Sequence, residues 1–240
     1  MLGRFHEISI ATPDIRASVE FYERLGFTHA PTGDTWSHPY GVLTDGRLFI
    51  GLHQHRFASP SLTFVRAGIA QHVADFEARG IELAFARTGD DRFNEIGFAD
   101  PAGQMVRVLE ARTYSPPGRS AAKASLCGYF AEFSIPTTDF DAAKSFWEPL
   151  GFVATDEAES PYLHLTLTSD HLNVAFHRPR TLDPPMLVFA EADMAGRIAR
   201  LRELDLPVSP DLPRGLDADA NALLESPEGT ALLLLTSRSD

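Results

Sequence analysis

The stretch EISIATPDIRASVEFYERLGF at residues 7–27 returns in altered form as EFSIPTTDFDAAKSFWEPLGF at residues 132–152. Both copies begin with Glu-x-Ser-Ile, reach an Asp seven positions later, and close on an aromatic pair and Leu-Gly-Phe. All of these residues keep one offset of 125 positions. A pattern held at one offset through a polar start, an aromatic pair and a stop signal indicates one structural module present in two copies.

The first copy predicts a strand at 5–10 and a helix that begins after Asp14, because Asp accepts hydrogen bonds from the free N–H groups of a first helical turn. Apolar residues recur at helical spacing until Gly26 ends the helix. Three extended segments follow, and an Asp-Gly turn at 45–46 joins the last two. The same order starts again at Ser61. The sequence therefore predicts an α+β protein of four βαβββ units, with two units in each module.

The module boundaries follow from a change in composition. Residues 1–113 and 128–240 carry the periodic segments, and residues 114–127 are rich in Ser, Pro and Gly without periodicity. We therefore expect two tandem modules joined by a linker at 114–127.

Composition excludes several classes of partner. The chain is 44% apolar and carries a formal net charge of −12, which argues against nucleic acid and anionic membranes as partners. No segment approaches the roughly 18 to 20 apolar residues of a membrane span. The single cysteine, Cys127, forms no internal disulfide and is interpreted as a small half-buried residue and not a nucleophile. We expect a cytoplasmic protein.

Together these stretches resemble the vicinal oxygen chelate superfamily, which includes glyoxalase I, bleomycin-resistance and fosfomycin-resistance proteins and extradiol dioxygenases. The resemblance rests on the two repeated stretches, on Phe-x-Asp-Pro-x-Gly at 98–103 and on Ser-Pro-x-Gly at 226–229. It implies two tandem glyoxalase-like modules that form half-open mixed β-barrels. It also implies a concave side where a divalent metal polarises vicinal oxygens of a substrate.

Strand alternation decides which side chains face the concave side. Glu7 and Ser9 point there if the intervening isoleucines pack on the helix. The first and fourth strands of a unit are expected to be neighbours, so Glu7 should lie near His53 and Glu132 near His177. A carboxylate beside an imidazole can bind a metal or transfer a proton. These two pairs are the predicted catalytic residues.

The resemblance also implies three metal-ligand positions in each module. These positions hold Glu7, Ser61 and Arg107 in the first module and Glu132, Met186 and Leu233 in the second. Ser and Met are poor ligands for a hard divalent ion, and neither Arg nor Leu can bind one. The usual metal site is therefore expected to be lost. No metal ligand is predicted, and a divalent metal is left open as a cofactor although most of the expected ligands are missing.

The two pockets are expected to differ in character. The first should be polar with both signs of charge, and the second apolar with a polar corner. The predicted binding residues are Ser9, Tyr40, Ser61, Thr63 and Arg107 in the first module and Ser134, Asn173, Met186 and Leu233 in the second. Arg107 is expected either to anchor a substrate anion or to pair with one of the two strand glutamates.

The predicted catalytic residues can also have purely structural roles. Glu7 and Glu132 can be paired structural carboxylates, and His53 and His177 can be strand-end histidines bonded to backbone or water. His55 has no counterpart in the second copy and is interpreted as a surface or packing residue.

Three functions remain open at this stage. The first is an enzyme-like protein that binds a small oxygenated or aromatic molecule and uses Glu and His as acid–base groups. The second is a protein that sequesters a small molecule without chemistry. The third is a divalent-metal lyase, isomerase or dioxygenase with a rearranged ligand set. The sequence does not decide between a monomer and a homodimer, or whether units pair within or across modules.

Overall fold

A computed structural model of the chain describes residues 2–32, 36–111, 125–209 and 211–237. The first module contains β1 (Arg4–Ala11), α1 (Ile15–Arg24), β2 (Thr28–His29), β3 (Tyr40–Thr44), β4 (Phe49–His53), β5 (Ser61–Arg66), α2 (Ile69–Glu77), β6 (Leu83–Arg87), β7 (Glu95–Ala99) and β8 (Met105–Glu110). The second contains β9 (Tyr129–Pro136), α3 (Phe140–Trp147), β10 (Val153–Ala154), β11 (His164–Thr168), β12 (Asn173–His177), β13 (Met186–Glu191), α4 (Met194–Glu203), β14 (Val208–Ser209), β15 (Ala222–Glu225) and β16 (Ala231–Thr236). Most of the predicted linker, up to residue 124, lies outside the described residues.

Each module forms one eight-stranded mixed sheet. The strand orders are β2-β3-β4-β1-β5-β8-β7-β6 and β10-β11-β12-β9-β13-β16-β15-β14. β1 runs parallel to β4 and antiparallel to β5, and β9 has the same relations to β12 and β13. The two units of each sheet therefore join within a module, which the sequence alone had left open. The predicted α+β fold of two tandem modules is confirmed, and the strand order of each sheet is open at both ends.

The helix boundaries follow from capping chemistry. The carboxylate of Asp14 accepts hydrogen bonds from the backbone N–H groups of residues 16 and 17, and Asp139 accepts one from residue 142. Gly26 and Gly151 adopt positive φ angles of 91° and 105° just beyond α1 and α3, where other residues would be strained. Both copies therefore place their repeated helix by the signals expected from sequence.

The core lies on the helix-bearing side of the sheets and continues from one module into the other. Ile8 and Ile10 of β1 are fully buried in it, and they alternate with the polar side chains of the same strand. Aromatic rings join the modules, with centroids 6.4 Å apart for Phe27 and Phe189. Burying a side chain of this size contributes about 1.5–3 kcal/mol. No helix within the described ranges is both long and apolar enough to cross a bilayer.

Candidate functional site

We call the face of each sheet opposite its helices the inner face. On the inner face of the first module, the buried carboxylate of Glu7 accepts three hydrogen bonds. The Ser9 hydroxyl donates to Oε1 at 2.7 Å, and the Tyr40 hydroxyl donates to Oε2 at 2.8 Å. Nε2 of His53, from the neighbouring parallel strand, lies 3.3 Å from Oε1. The predicted contact between Glu7 and His53 is confirmed.

The surroundings of Glu7 favour its charged form. Burial alone raises the pKa of this carboxyl, but the hydrogen bond from His53 opposes that effect. The electrostatic interactions with His6 and His53 and the hydrogen bond from the Ser9 hydroxyl act in the same direction, so the pKa ends below its ordinary value. Glu7 is therefore a carboxylate at neutral pH, and the donors around it offset the cost of burying the charge.

A chain of imidazoles leads outward from Glu7. Nδ1 of His53 lies 3.0 Å from Nε2 of His38, and the His38 ring stacks on that of His55 with centroids 4.8 Å apart. Burial, and then the charges of His53, His55 and Arg107, lower the pKa of His38. With Glu7 ionised, His53 donates through Nε2 and accepts from His38, which leaves Nδ1 of His38 as a free acceptor. Sequence reasoning missed this link, because the loop that carries His38 has no periodicity.

Arg107 lies on the same inner face but has a different partner from the one expected. Its guanidinium donates to Oε2 of Glu95 at 2.8 Å. It also lies over the rings of Phe57 at 5.4 Å and Trp36 at 5.7 Å. The prediction that Arg107 pairs with a glutamate of the first strand of either module is therefore wrong. Glu95 is buried on β7, and sequence reasoning gave it no role.

Two buried hydrogen-bond donors of the first module have no partner among the described residues, besides the acceptor Oδ2 of Asp45 in the turn after β3. The indole N–H of Trp36 and the hydroxyl of Ser61 make no hydrogen bond in the part of the chain that the structure describes. Thr63, the other predicted hydroxyl on β5, is bonded to Ser9 at 2.7 Å. Because Ser9 already donates to Glu7, the Thr63 hydroxyl is the donor in that bond. A buried donor without an acceptor costs about 1–3 kcal/mol, so these two groups are suited to a bound molecule.

The second module does not form the equivalent pair. Glu132 accepts a hydrogen bond from the Thr166 hydroxyl at 2.9 Å. His177 is bonded at Nδ1 to the Ser134 hydroxyl and at Nε2 to the backbone carbonyl of Leu182, both at 2.8 Å. The predicted proximity of Glu132 and His177 is therefore corrected, since each has a different partner. Burial raises the pKa of Glu132, and the Thr166 hydroxyl offsets only part of that effect.

Side-chain differences at matched strand positions accompany this asymmetry. Gly51 and Ala175 occupy the same register position beside the first strand of their modules. A β-carbon built on Gly51 would lie 2.1 Å from a carboxylate oxygen of Glu7. Glu7 thus folds into space that only a glycine leaves open, and the second module has an alanine there. The networks also differ because Thr166, which donates to Glu132, takes the place that Val42 has in the first module.

The inner face of the second module is filled by its own side chains. Met186 and Leu233 are completely buried in an apolar cluster with Tyr162. Leucines from two loops pack onto this cluster: Leu182, Leu212 and Leu216. Asn173 is directed elsewhere, since its amide donates to the carbonyl of Ala131 at 3.0 Å. The expected apolar pocket is therefore packed, and the structure does not bring Asn173 together with the other predicted residues.

The donor set of the first module does not fit a divalent metal. Glu7 is already bonded to three donors, and the last ligand position holds Arg107, a cation paired with Glu95. In the second module that position is Leu233. Across the described ranges, no group of three or more His, Cys, Asp or Glu side chains has the arrangement of a metal site. We therefore derive no chemical step through a metal.

Comparison with known proteins bears on the fold. No family model and no curated protein sequence matches the chain. Among solved structures, it is similar to a homoprotocatechuate 2,3-dioxygenase from Brevibacterium fuscum in complex with HPCA, with a TM-score of 0.64 and 15% identity over 99% of this chain and 71% of that one. It is also similar to 2,2',3-trihydroxybiphenyl 1,2-dioxygenase from Sphingomonas wittichii, with a TM-score of 0.62 and 15% identity over 99% of this chain and 91% of that one. A third similar structure is that of a catechol 2,3-dioxygenase, with a TM-score of 0.61 and 15% identity over 98% of this chain and 87% of that one.

The chain has the extradiol dioxygenase fold. This agrees with the resemblance of the sequence to the vicinal oxygen chelate superfamily, which includes the extradiol dioxygenases. At this level of identity the likeness concerns the fold, so the chemistry has to be argued from the side chains of the inner faces.

Proposed function

We propose that the inner face of the first module binds a small oxygenated or aromatic molecule and that His38 exchanges a proton with it. The observation that carries this proposal is the hydrogen-bonded chain from buried Glu7 through His53 to His38. A carboxylate that orients an imidazole fixes its tautomer and stabilises the charge that forms when a proton arrives. Here the orienting effect passes through one imidazole to a second, which lies nearer the surface.

The groups beside the chain favour a ligand with an oxygen atom. The Trp36 indole can only donate a hydrogen bond, so its unpartnered N–H requires an acceptor. Arg107 contacts the same indole ring, and its side chain is 11% exposed. A hydroxyl or carbonyl oxygen held there would gain stabilisation as it acquires negative charge. The rings of Trp36 and Phe57 provide apolar contact area for a flat molecule.

The proposed step is a proton transfer without a change of oxidation state. A hydroxyl or an activated C–H group of the ligand loses its proton to Nδ1 of His38. His38 becomes an imidazolium whose Nε2 proton stays hydrogen-bonded to Nδ1 of His53, and Glu7 remains ionised and holds His53 in place. The ligand is left as an anion, and its charge lies near Arg107. The lowered pKa of His38 keeps this residue neutral, and hence able to accept a proton, at pH 7.

Phenols are the first ligands to test. The proteins similar in fold are named for catechol, homoprotocatechuate and trihydroxybiphenyl, all of which are phenols. A panel of phenols, catechols and hydroxyketones is screened by thermal shift, and each compound that stabilises the protein is followed for conversion by mass spectrometry.

Two variants separate binding from proton transfer. Trp36→Phe removes the indole N–H and is expected to weaken binding about threefold to tenfold, the effect of one neutral hydrogen bond. His38→Ala is expected to lower turnover by about 100-fold or more, the usual contribution of an acid–base group. His171→Ala, at an exposed position of the second module, is the matched control. Unchanged turnover in His38→Ala, or a panel with no stabilising compound, would contradict the proposal.

A second candidate function is sequestration without chemistry. Both oxygens of Glu7 are held by donors, and such a saturated carboxylate also suits a rigid binding wall. Tight binding of a compound that is recovered unchanged, with the same affinity in wild type and His38→Ala, would favour this alternative.

A further inference from the structure

A cavity lies in the second module, away from the inner face of the first module. Its volume is about 510 Å³, and its lining residues are Tyr162, Leu163, Arg180, Thr181 and Arg214. This volume falls within the range of roughly 300–1,000 Å³ that is typical of small-molecule sites. Tyr162 also belongs to the apolar cluster that fills the inner face, so the cavity lies against that packed cluster.

Two anchored loops carry the arginines of this cavity. In the loop after β12, the backbone N–H of Thr181 donates to the carbonyl of Arg178 at 2.8 Å. The Arg178 guanidinium lies 4.0 Å from the centroid of Phe140, and His177 holds the carbonyl of Leu182. The position of Arg180 is therefore fixed by contacts on both sides of it in the chain.

The loop that carries Arg214 is held in a similar way. The backbone N–H of Leu216 donates to the carbonyl of Pro213 at 3.2 Å, which closes a turn around Arg214. Leu212 and Leu216, on either side of it, pack into the apolar cluster. The same leucines that fill the inner face thus present a guanidinium to the cavity.

The charge of the cavity is opposite to that of the protein. Neither Arg180 nor Arg214 makes a hydrogen bond or an ion pair within the described ranges, and no acidic residue is among those that line the cavity. The whole chain carries a formal net charge of −12. Two cations that share a cavity on an acidic protein repel each other, and a bound anion relieves that repulsion.

We propose that this cavity binds a small organic carboxylate. The carboxylate would bridge Arg180 and Arg214, because planar guanidinium groups match its geometry. The apolar part of the ligand would lie against the ring of Tyr162 and the side chain of Leu163. This site is separate from Glu7, His53 and His38, and it does not depend on the function proposed for them.

Benzoate is the probe, and isothermal titration calorimetry is the measurement. Wild type is expected to bind benzoate. The Arg180→Ala/Arg214→Ala double variant is expected to bind it at least about tenfold more weakly, because a pair of charge-assisted hydrogen bonds is lost. Arg200→Ala on α4, an exposed arginine outside the cavity, is the control and should keep the wild-type affinity. Thermal unfolding of the double variant checks that these exposed substitutions leave the fold intact.

Two further probes test the ligand class. Benzamide has the same shape without the charge and should bind far more weakly than benzoate. Inorganic phosphate tests whether any anion suffices. Absence of benzoate binding to wild type, equal affinity in the double variant, or phosphate binding that matches that of benzoate would overturn the proposal of an organic carboxylate site.

Discussion

The indole N–H of Trp147 donates a 3.1 Å hydrogen bond to Oδ2 of Asp100, which joins helix α3 of the second module to a hairpin turn of the first. Helix α1 of the first module makes a similar contact with a hairpin turn of the second. The hydroxyl of Tyr22 on α1 donates to Oε1 of Glu228 at 2.9 Å, and Ser18 donates to the other oxygen at 2.7 Å. Each module thus inserts the polar end of a buried aromatic residue into a turn of its partner. These bonds fix how the two modules pack.

Removal of one hydroxyl tests this interface. Tyr22→Phe deletes the donor to Glu228 and leaves the ring in place. We expect the free energy of unfolding in urea to fall by about 1.5–3 kcal/mol, the range for a hydrogen bond to a charged group. The control is Tyr129→Phe, at a residue that is 39% exposed, where a change within about 0.5 kcal/mol is expected. Equal stabilities of Tyr22→Phe and wild type would show that the contact contributes nothing.

The repeat in the sequence predicts the positions of these aromatic residues but not their acceptors. Tyr22 and Trp147 are separated by the common offset of 125, and their burial follows from that pattern. The acceptors occupy different positions within their turns, since Asp100 precedes the proline of its turn and Glu228 follows the proline of the other. A side chain that reaches across a module interface can be shifted by two residues without any trace in local periodicity.

The same limit applies to the candidate site. Strand alternation and the expected pairing of β1 with β4 are enough to place Glu7 beside His53. They fail for Glu132 and His177, because the outcome there depends on the side chains at matched positions, Ala175 in place of Gly51 and Thr166 in place of Val42. They also fail for the partner of Arg107, because Glu95 lies diagonally across the β7–β8 pair, two residues from Gly97, which is the residue opposite Arg107. Periodicity predicts which face a residue is on, whereas contacts within a face depend on three-dimensional packing.

Substitution at Gly51 tests the steric explanation for the two networks. In Gly51→Ala the new methyl group would overlap the Glu7 carboxylate, so that side chain has to leave its bonds with Tyr40 and His53. We expect a loss of about 1–3 kcal/mol in the free energy of unfolding, as for other overpacked sites. The double variant Glu7→Ala/Gly51→Ala should show no additional loss from the second change. A Gly51→Ala protein as stable as wild type would refute the explanation.

The matched change in the second module should behave differently. Ala175→Gly removes a methyl group and adds backbone freedom to the unfolded chain. The expected loss is about 0.5–1 kcal/mol, the usual difference between Gly and Ala inside a strand. A loss for Ala175→Gly as large as that for Gly51→Ala would show that the two positions are not distinguished by their neighbouring glutamates.

Cys127 is expected to be unreactive in the folded protein. Burial, with a smaller contribution from the nearby Asp45 carboxylate, raises the pKa of its thiol to about 12, although Ser125 and Arg197 oppose this rise. Since the thiolate is the reactive form, a chromogenic disulfide reagent at pH 8 should modify Cys127 only as fast as the protein unfolds. A cysteine introduced at the exposed position 170 by Asp170→Cys is the control and should react at once. Immediate reaction of wild type would contradict the buried position of Cys127.

His177 should make the stability of the protein depend on pH. Burial lowers the pKa of its imidazole from 6.5 in the unfolded chain to about 4, and the bond to the carbonyl of Leu182 offsets this only in part. The unfolded state therefore binds more protons than the folded state between these two values. The contribution of neutral His177 is fully present above pH 6.5 and is lost as the pH falls towards 4.

Urea unfolding at pH 7 and pH 5 measures this loss. From the linkage of protonation to folding, wild type should lose roughly 2 kcal/mol through His177 between these two conditions. The His177→Gln variant cannot take up this proton. It should be less stable than wild type at pH 7, because Ser134 and the Leu182 carbonyl lose their partner, but the difference should become smaller at pH 5. A difference between the two proteins that stays constant across this range would show that His177 is not held in its neutral form by burial.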